Sequence, residues 1–429
     1  MKSRMDIPGR SYRWAFGALV LLTLLAVALG VAARVYHLGF PDKRMWDEVY
    51  FPVFARNYLV GKNFFDLHPP LGKFIIAVGL LIYGDTPLGW RVMSDAFGVG
   101  MIFIAAGAGW YFLRDRAAAL LMGLFVASET MFIVYSRAGL MDGILTFFVL
   151  ATMAAAWRTK TLRGVAFTAL LFGLTVAIKW ATAPLVIPAG YVMWRKGYLR
   201  PFIGSLYISV VAYLIVVYLG QLINHDHNPW RAFVDVWLWH IKAAEQITRA
   251  VPNTEASPWW AWPLMTRPIL FFYRPAAAGE PVRTVLALGN LAIWWPATLS
   301  VLAGIYELGR RLLLRLPVAD HPLVPIVLGW IFLLLPWVPG TRIPFVYNYF
   351  PAYAFALLAL AYWALVIWRR RPWLVVGYCA VVIGVAIYFL PMTMGLPMSP
   401  VSLKDHLWLL SWNHPEYIRT FQINRIFPY

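Results

Sequence analysis

The residues best equipped for chemistry sit close together in the chain: Trp46-Asp47-Glu48-Val49-Tyr50, followed shortly by Asp66-Leu67-His68-Pro69-Pro70-Leu71-Gly72-Lys73. A carboxylate beside a hydroxyl can take its proton during attack, and a lysine or arginine can hold an anionic group and stabilise the charge that develops on it. Farther along, Arg91, Asp95, Glu129, Arg137, Asp142, Lys179 and Arg342 interrupt or flank apolar stretches. Ionisable side chains at membrane depth are costly, which makes each a functional candidate, with pairing to another buried charge as the structural alternative.

The elements that must position these groups follow from composition. Of the 429 residues, 61% are hydrophobic and only 13% charged, where soluble domains carry about 25% charged residues. Apolar runs at 14–33, 92–113, 117–135, 139–157, 164–180, 182–194, 201–222, 286–306, 321–338, 346–367 and 373–391 predict an all-α polytopic membrane protein of about eleven transmembrane helices. Hydrocarbon offers backbone groups no partners, so each span must be helical, and continuous apolar runs argue against an alternating β-barrel. Residues 71–84 are apolar but too short to cross about 30 Å of hydrocarbon.

Basic residues then set the sides. If 71–84 dips without crossing, Lys2, Arg4, Arg10 and Arg13, Arg114 and Arg116, Arg158, Lys160 and Arg163, Arg195, Lys196 and Arg200, Arg310, Arg311 and Arg315, and Arg369 to Arg371 all fall on one side, as the positive-inside rule requires of the cytoplasmic face. The amino terminus is expected there too, its first apolar run being long for a cleaved signal peptide. These clusters account for the net charge of +18, which leaves no case for a nucleic-acid partner.

The expected organisation is a single integral membrane domain over 1–429. Residues 1–222 form a catalytic module with an external loop at 35–90, and 223–285 form a second external loop of interfacial helices rich in tryptophan. Residues 286–391 supply the last transmembrane helices, and 392–429 an external tail. The single cysteine, Cys379, can form no internal disulfide. His225-Asp226-His227 lacks a clear third metal ligand and reads as a solvated loop; no metal or other cofactor is expected.

On this topology Asp47, Glu48, Asp66, His68, Lys73, Arg91, Asp95, Glu129, Arg137, Asp142, Lys179 and Arg342 all map to the outer side. Acids in one part and fixed cations in another suit a substrate with an anionic group and a neutral hydroxyl nucleophile, a description that a lipid-linked sugar phosphate meets.

The Trp46–Tyr50 run together with Phe64-Phe65-Asp66-Leu67-His68-Pro69-Pro70-Leu71-Gly72-Lys73 resembles the first external loop of the protein O-mannosyltransferases, membrane enzymes of the GT-C superfamily. Gly89-Trp90-Arg91-Val92-Met93-Ser94, Ser136 to Asp142, Gly173 to Trp180 and the aromatic stretch Pro344 to Pro351 extend the resemblance along the chain. It implies a GT-C-like fold and a polyprenyl (dolichyl or undecaprenyl) phosphate mannose donor. It further implies transfer to Ser/Thr hydroxyls of an exported polypeptide, with inversion at the sugar and no metal. Asp47 would be the base, Glu48 would orient acceptor or sugar, and Arg91, Arg137 and Lys179 would bind the donor phosphate. The large lumenal insert of fungal and animal members is absent, which implies a prokaryotic-type member in a bacterial inner membrane, working on the periplasmic or external side. Tyr347-Asn348-Tyr349 departs from the more aromatic or histidine-containing run of relatives.

Other readings stay open. A glycolipid, polysaccharide or lipid A acceptor is compatible with the same Asp-Glu pair, and a transporter of anionic lipids would use the same cations. Asp47 and Glu48 could instead cap an interfacial helix; His68 could anchor a rigid diproline turn; Lys73 could snorkel to headgroups. Arg91 and Asp95, four apart, could neutralise one another, and Glu129 could pair with Arg137 or Lys179.

Overall fold

The computed structural model describes residues 10–224, 227–247, 255–275, 281–339 and 344–417. Sixteen helices and one hairpin follow in order: α1 (Arg10–Val35), α2 (Phe51–Leu59), α3 (Leu71–Tyr83), α4 (Pro87–Leu113), α5 (Arg116–Ser128), α6 (Thr130–Ser136), α7 (Asp142–Arg158), α8 (Leu162–Val176), α9 (Val186–Arg195), α10 (Leu199–Asn224), α11 (Pro229–Ile247), β1 (Ile269–Arg274), β2 (Arg283–Ala287), α12 (Leu291–Leu313), α13 (Leu323–Leu334), α14 (Phe350–Trp368), α15 (Pro372–Met394) and α16 (Pro400–Asp405).

Every apolar stretch read from the sequence is helical, but the stretches are not equivalent. Among the described residues six helices, α1, α4, α10, α12, α14 (with the turn before it) and α15, are long and apolar enough to cross a membrane. The 117–135 stretch is broken: α5 and α6 meet at 63°, with Glu129 as the extended residue between them. The remaining expected spans are the shorter helices α7, α8, α9 and α13. Helix α3, at 13 residues, rises about 20 Å and cannot cross.

The span containing α14 is the innermost, 78% buried against 28% for α1 and 22% for α10. Its Ala352, Ala354, Ala356, Ala359 and Ala361 are all fully buried, because small residues let neighbouring helix backbones approach closely in lipid. The opposite kind of face, Leu21 and Leu24 on α1 or Ile203, Tyr207 and Val210 on α10, is exposed, as lipid-facing surface should be.

The 223–285 stretch, expected as a second external loop, departs from the purely helical expectation. Helix α11 is there, with Trp230 and Trp237 exposed, but β1 and β2 pair antiparallel, Ile269 opposite Ala287, with an irregularity between Leu270 and Phe272. β2 is extended by a bridge from Val282 to Met398 in the tail. Trp239 and Trp262 are buried, so these two tryptophans are packing residues and not interfacial anchors.

Candidate active site

Asp47 and Glu48 lie in the 3-10 turn Trp46–Val49. Trp46 takes a left-handed φ of 46°, a strained conformation for a bulky residue that only a constraining environment maintains. The hairpin supplies part of that environment: Phe271 stacks on the indole at 6.0 Å and Phe345 meets it edge-on at 5.6 Å.

The turn sends its two carboxylates in different directions. Glu48 is fully buried and both oxygens are engaged. Oε1 accepts from Arg91 Nε at 2.7 Å and from the Gly139 amide at 2.7 Å, while Oε2 accepts from Arg91 Nη2 at 2.9 Å and from the Met45 amide at 2.8 Å. Asp47 is half-buried and lies 3.4 Å from the Tyr347 hydroxyl, which donates to its Oδ2. Of the pair, only Asp47 keeps partial exposure.

Arg91 has no N–H left for a phosphate. Beyond Glu48, it donates to the carbonyls of Leu38 at 3.2 Å, Pro41 at 2.8 Å and Lys43 at 3.1 Å, closing the loop after α1 onto α4. Arg137 likewise donates to the carbonyls of Ala33, Arg34, Tyr36 and His37, where α1 ends and its last carbonyls lack helical partners. Both arginines hold backbone; for Arg91, whose N–H groups are all used, that is a different duty from the donor-phosphate contact expected of it, whereas Arg137 Nε takes no part in these bonds. Asp95 is not neutralised by Arg91; its Oδ1 is buried without a hydrogen-bond partner among the described residues.

Lys179 is the cation facing the Asp47 side. Its Nζ donates to Asp142 Oδ1 at 2.7 Å and sits 5.1 Å from the centre of the Tyr347 ring, so Asp47, Tyr347, Lys179 and Asp142 form one chain of contacts. Tyr135, fully buried on α6, has its hydroxyl unpartnered among the described residues. Its ring is 5.9 Å from that of Tyr347 and 5.2 Å from Phe271.

The downstream motif builds a neighbouring cluster. Lys73 bonds to Asp66 Oδ2 and donates to the His68 carbonyl at 2.6 Å; its side chain is buried, which rules out snorkelling. Trp239 of α11 donates to the Asp66 carbonyl at 2.8 Å, and the Leu71 amide reaches the Ala177 carbonyl at 3.2 Å. His68 is half-buried beside Phe51, rings 6.2 Å apart.

Glu129 lies apart from this site. Fully buried, it accepts from the amides of Met131 and Asn290 and from the Tyr353 hydroxyl at 2.6 Å. It fastens α12 and α14 to the α5–α6 break through neutral donors, and no ion pair with Arg137 or Lys179 forms. Arg342, His225 and Asp226 lie outside the described residues.

Tyr347 and Tyr135 are the site residues that inspection of charges overlooks. Tyr347 stands in the aromatic 344–351 stretch, and Tyr135 immediately precedes Ser136-Arg137, which are the only local signals of either.

A many-helix membrane body with a charged loop site at one end is the architecture of the GT-C membrane glycosyltransferases. One chain of the Saccharomyces cerevisiae protein O-mannosyltransferase Pmt1-Pmt2 complex bound to the sugar donor superposes with a TM-score of 0.79 at 14% identity, over 92% of this chain and 93% of that one. ArnT from Cupriavidus metallidurans bound to undecaprenyl phosphate gives 0.52 at 14% identity, over 91% of this chain and 72% of that one. The family models described as "dolichyl-phosphate-mannose-protein mannosyltransferase" and "C-terminal four TMM region of protein-O-mannosyltransferase" match residues 24–223 and 229–412 in tandem. The chain is a membrane glycosyltransferase of the protein O-mannosyltransferase family. A polyprenol-phosphate-mannose–protein mannosyltransferase of Mycolicibacterium smegmatis is 24% identical across 94% of this chain and 93% of its own length.

Proposed function

We propose that this protein transfers mannose from a polyprenyl phosphate to Ser or Thr hydroxyls of exported polypeptides, at the outer face of a bacterial inner membrane. The observation that carries the catalytic assignment is the division of labour in the Asp-Glu pair: Glu48 is sealed by four hydrogen bonds, while Asp47 stands half-buried beside Tyr347, over whose ring Lys179 lies.

In this reading the acceptor hydroxyl oxygen attacks C1 of the sugar as its proton passes to the Asp47 carboxylate. The C1–O bond to phosphate breaks with inversion, so a β-linked donor yields an α-linked product. Lys179 stabilises the charge left on the departing polyprenyl phosphate, and Asp142 holds the ammonium in place. Glu48, Arg91 and Arg137 act one step removed, fixing the loop and the end of α1 from which Asp47 projects. Lys73, Asp66 and His68 support the adjoining wall.

Purified protein in nanodiscs, given radiolabelled polyprenyl phosphate mannose and a Ser/Thr-rich peptide, should label the peptide. Failure to glycosylate any hydroxyl acceptor, or full activity of Asp47→Asn, would sink this reading. The orientation has its own check: a cysteine at position 47 should react with impermeant reagents from outside the cell, and labelling from the cytoplasm alone would overturn it.

A further inference from the structure

At the end of the molecule opposite Asp47, helices α4, α7 and α8 enclose a cavity of about 780 Å³, within the usual size of small-molecule sites. The same three helices carry Arg91, Asp142 and the Lys179 turn at their other ends. Sixteen residues separate Asp142 from Arg158, which at helical rise puts the cavity mouth about 24 Å from the catalytic level.

The cavity is two-faced. Its inner wall is apolar, with Phe147, Ala151, Phe167 and Leu171 among its lining residues, and its rim is cationic, with Arg114, Arg158, Lys160 and Arg163. All four cations are exposed, and none has an ion-pair partner among the described residues. The nearby acid, Asp115, is turned elsewhere, capping the amide of Ala117 and lying 3.8 Å from Arg369. Arg158 rests 5.7 Å over the Tyr111 ring, which leaves its N–H groups free to donate.

The field at the rim is felt by its neighbour Lys196, beyond the end of α9. Its ammonium donates to the carbonyls of Ala156, Trp157 and Thr159 yet is pushed down to about 8, by burial first and then by the charges of Arg114 and Lys160. Charge compensation is lacking there, and an apolar slot lies directly below.

We propose that this cavity binds an anionic glycerophospholipid of the adjoining leaflet, its phosphate on Arg114, Arg158, Lys160 and Arg163 and an acyl chain in the slot between α4, α7 and α8. Basic pockets between transmembrane helices recognise headgroups in this way. The Coulombic complementarity selects anionic over zwitterionic lipid, and the slot selects long chains over short ones.

Native mass spectrometry of the full chain in detergent, titrated with dioleoyl phosphatidylglycerol, dioleoyl phosphatidylcholine and dihexanoyl phosphatidylglycerol, tests this. Dioleoyl phosphatidylglycerol should form a persistent one-to-one adduct, and the other two should bind more weakly. The combined variant Arg158→Gln, Lys160→Gln, Arg163→Gln should lose roughly tenfold or more of that affinity, the size expected for three charges at a headgroup. The comparison of lipids on the unaltered protein stands even if the variant folds poorly. Equal retention of phosphatidylglycerol and phosphatidylcholine, or undiminished binding in a folded variant, would overturn the proposal. So would displacement of phosphatidylglycerol by polyprenyl phosphate at lower concentration, which would make the cavity a carrier-lipid site.

Discussion

Arg91 and Glu48 form a two-pronged ion pair, Nε to Oε1 at 2.7 Å and Nη2 to Oε2 at 2.9 Å, with both side chains fully buried. The pair joins α4 to the turn that carries Asp47 and makes the position of that turn a consequence of core packing. Removing one partner of a buried pair leaves an uncompensated charge, at about 3–5 kcal/mol. Arg91→Ala and Glu48→Ala should therefore each lower the melting temperature in detergent and abolish transfer. The double variant should be destabilised by clearly less than the sum of the two, a coupling read from a double-mutant cycle.

Asp47→Asn should behave oppositely. The amide preserves shape and the substituted side chain is half-buried, so the melting temperature should be retained. The loss of a general base should slow transfer by about 10²- to 10⁴-fold, measured as labelled mannose incorporated into peptide at saturating donor.

Tyr347 and Lys179 separate by kinetics. Lys179→Met should raise the KM for polyprenyl phosphate mannose and also lower kcat, because in the proposed mechanism the ammonium meets both bound phosphate and the charge developing on it. Tyr347→Phe keeps the ring beneath Lys179 and removes the hydroxyl beside Asp47, so it should lower kcat with little change in donor KM. An unchanged kcat would show that the phenol does not assist Asp47.

Gly139 tests the backbone side of the same loop. A Cβ there would stand 2.6 Å from the Trp90 carbonyl oxygen and 3.0 Å from Pro52, and the Gly139 amide is one of the four donors to Glu48. Gly139→Ala should cost about 1–3 kcal/mol through overpacking and lower activity in parallel, seen as a reduced melting temperature with a proportionate loss of transfer.

Lys196 gives a pH signature. Its folded value is held near 8, below the ordinary 10.5, so between these values the unfolded chain binds more protons than the folded one. Stability contributed by this site should rise with pH across about 8 to 10.5. Lys196→Met should flatten that rise in melting temperature measured against pH in detergent, relative to the unaltered protein.

The sequence by itself determined the membrane class, the helical stretches and the family. All of these rest on local quantities: run length, hydropathy, a motif at fixed spacing. It did not distinguish a cation set beside the Tyr347 ring from one that holds backbone. Arg91 and Arg137 read like Lys179 in the chain, but the N–H groups of Arg91 all go to Glu48 and to carbonyls 48 to 53 residues away, and Arg137 Nη1 and Nη2 donate to carbonyls 100 to 104 residues away; only tertiary folding brings those acceptors within 3.4 Å. The same holds for Tyr347, which reaches Asp47 across 300 residues, and for the hairpin whose Phe271 packs on Trp46. Nor was it legible that four apolar stretches would fold as short helices and a fifth would break at Glu129. Glu129 takes its donors from Asn290 and Tyr353 on distant helices, and that satisfaction of a buried carboxylate, absent from any local pattern, holds the bend at 63°.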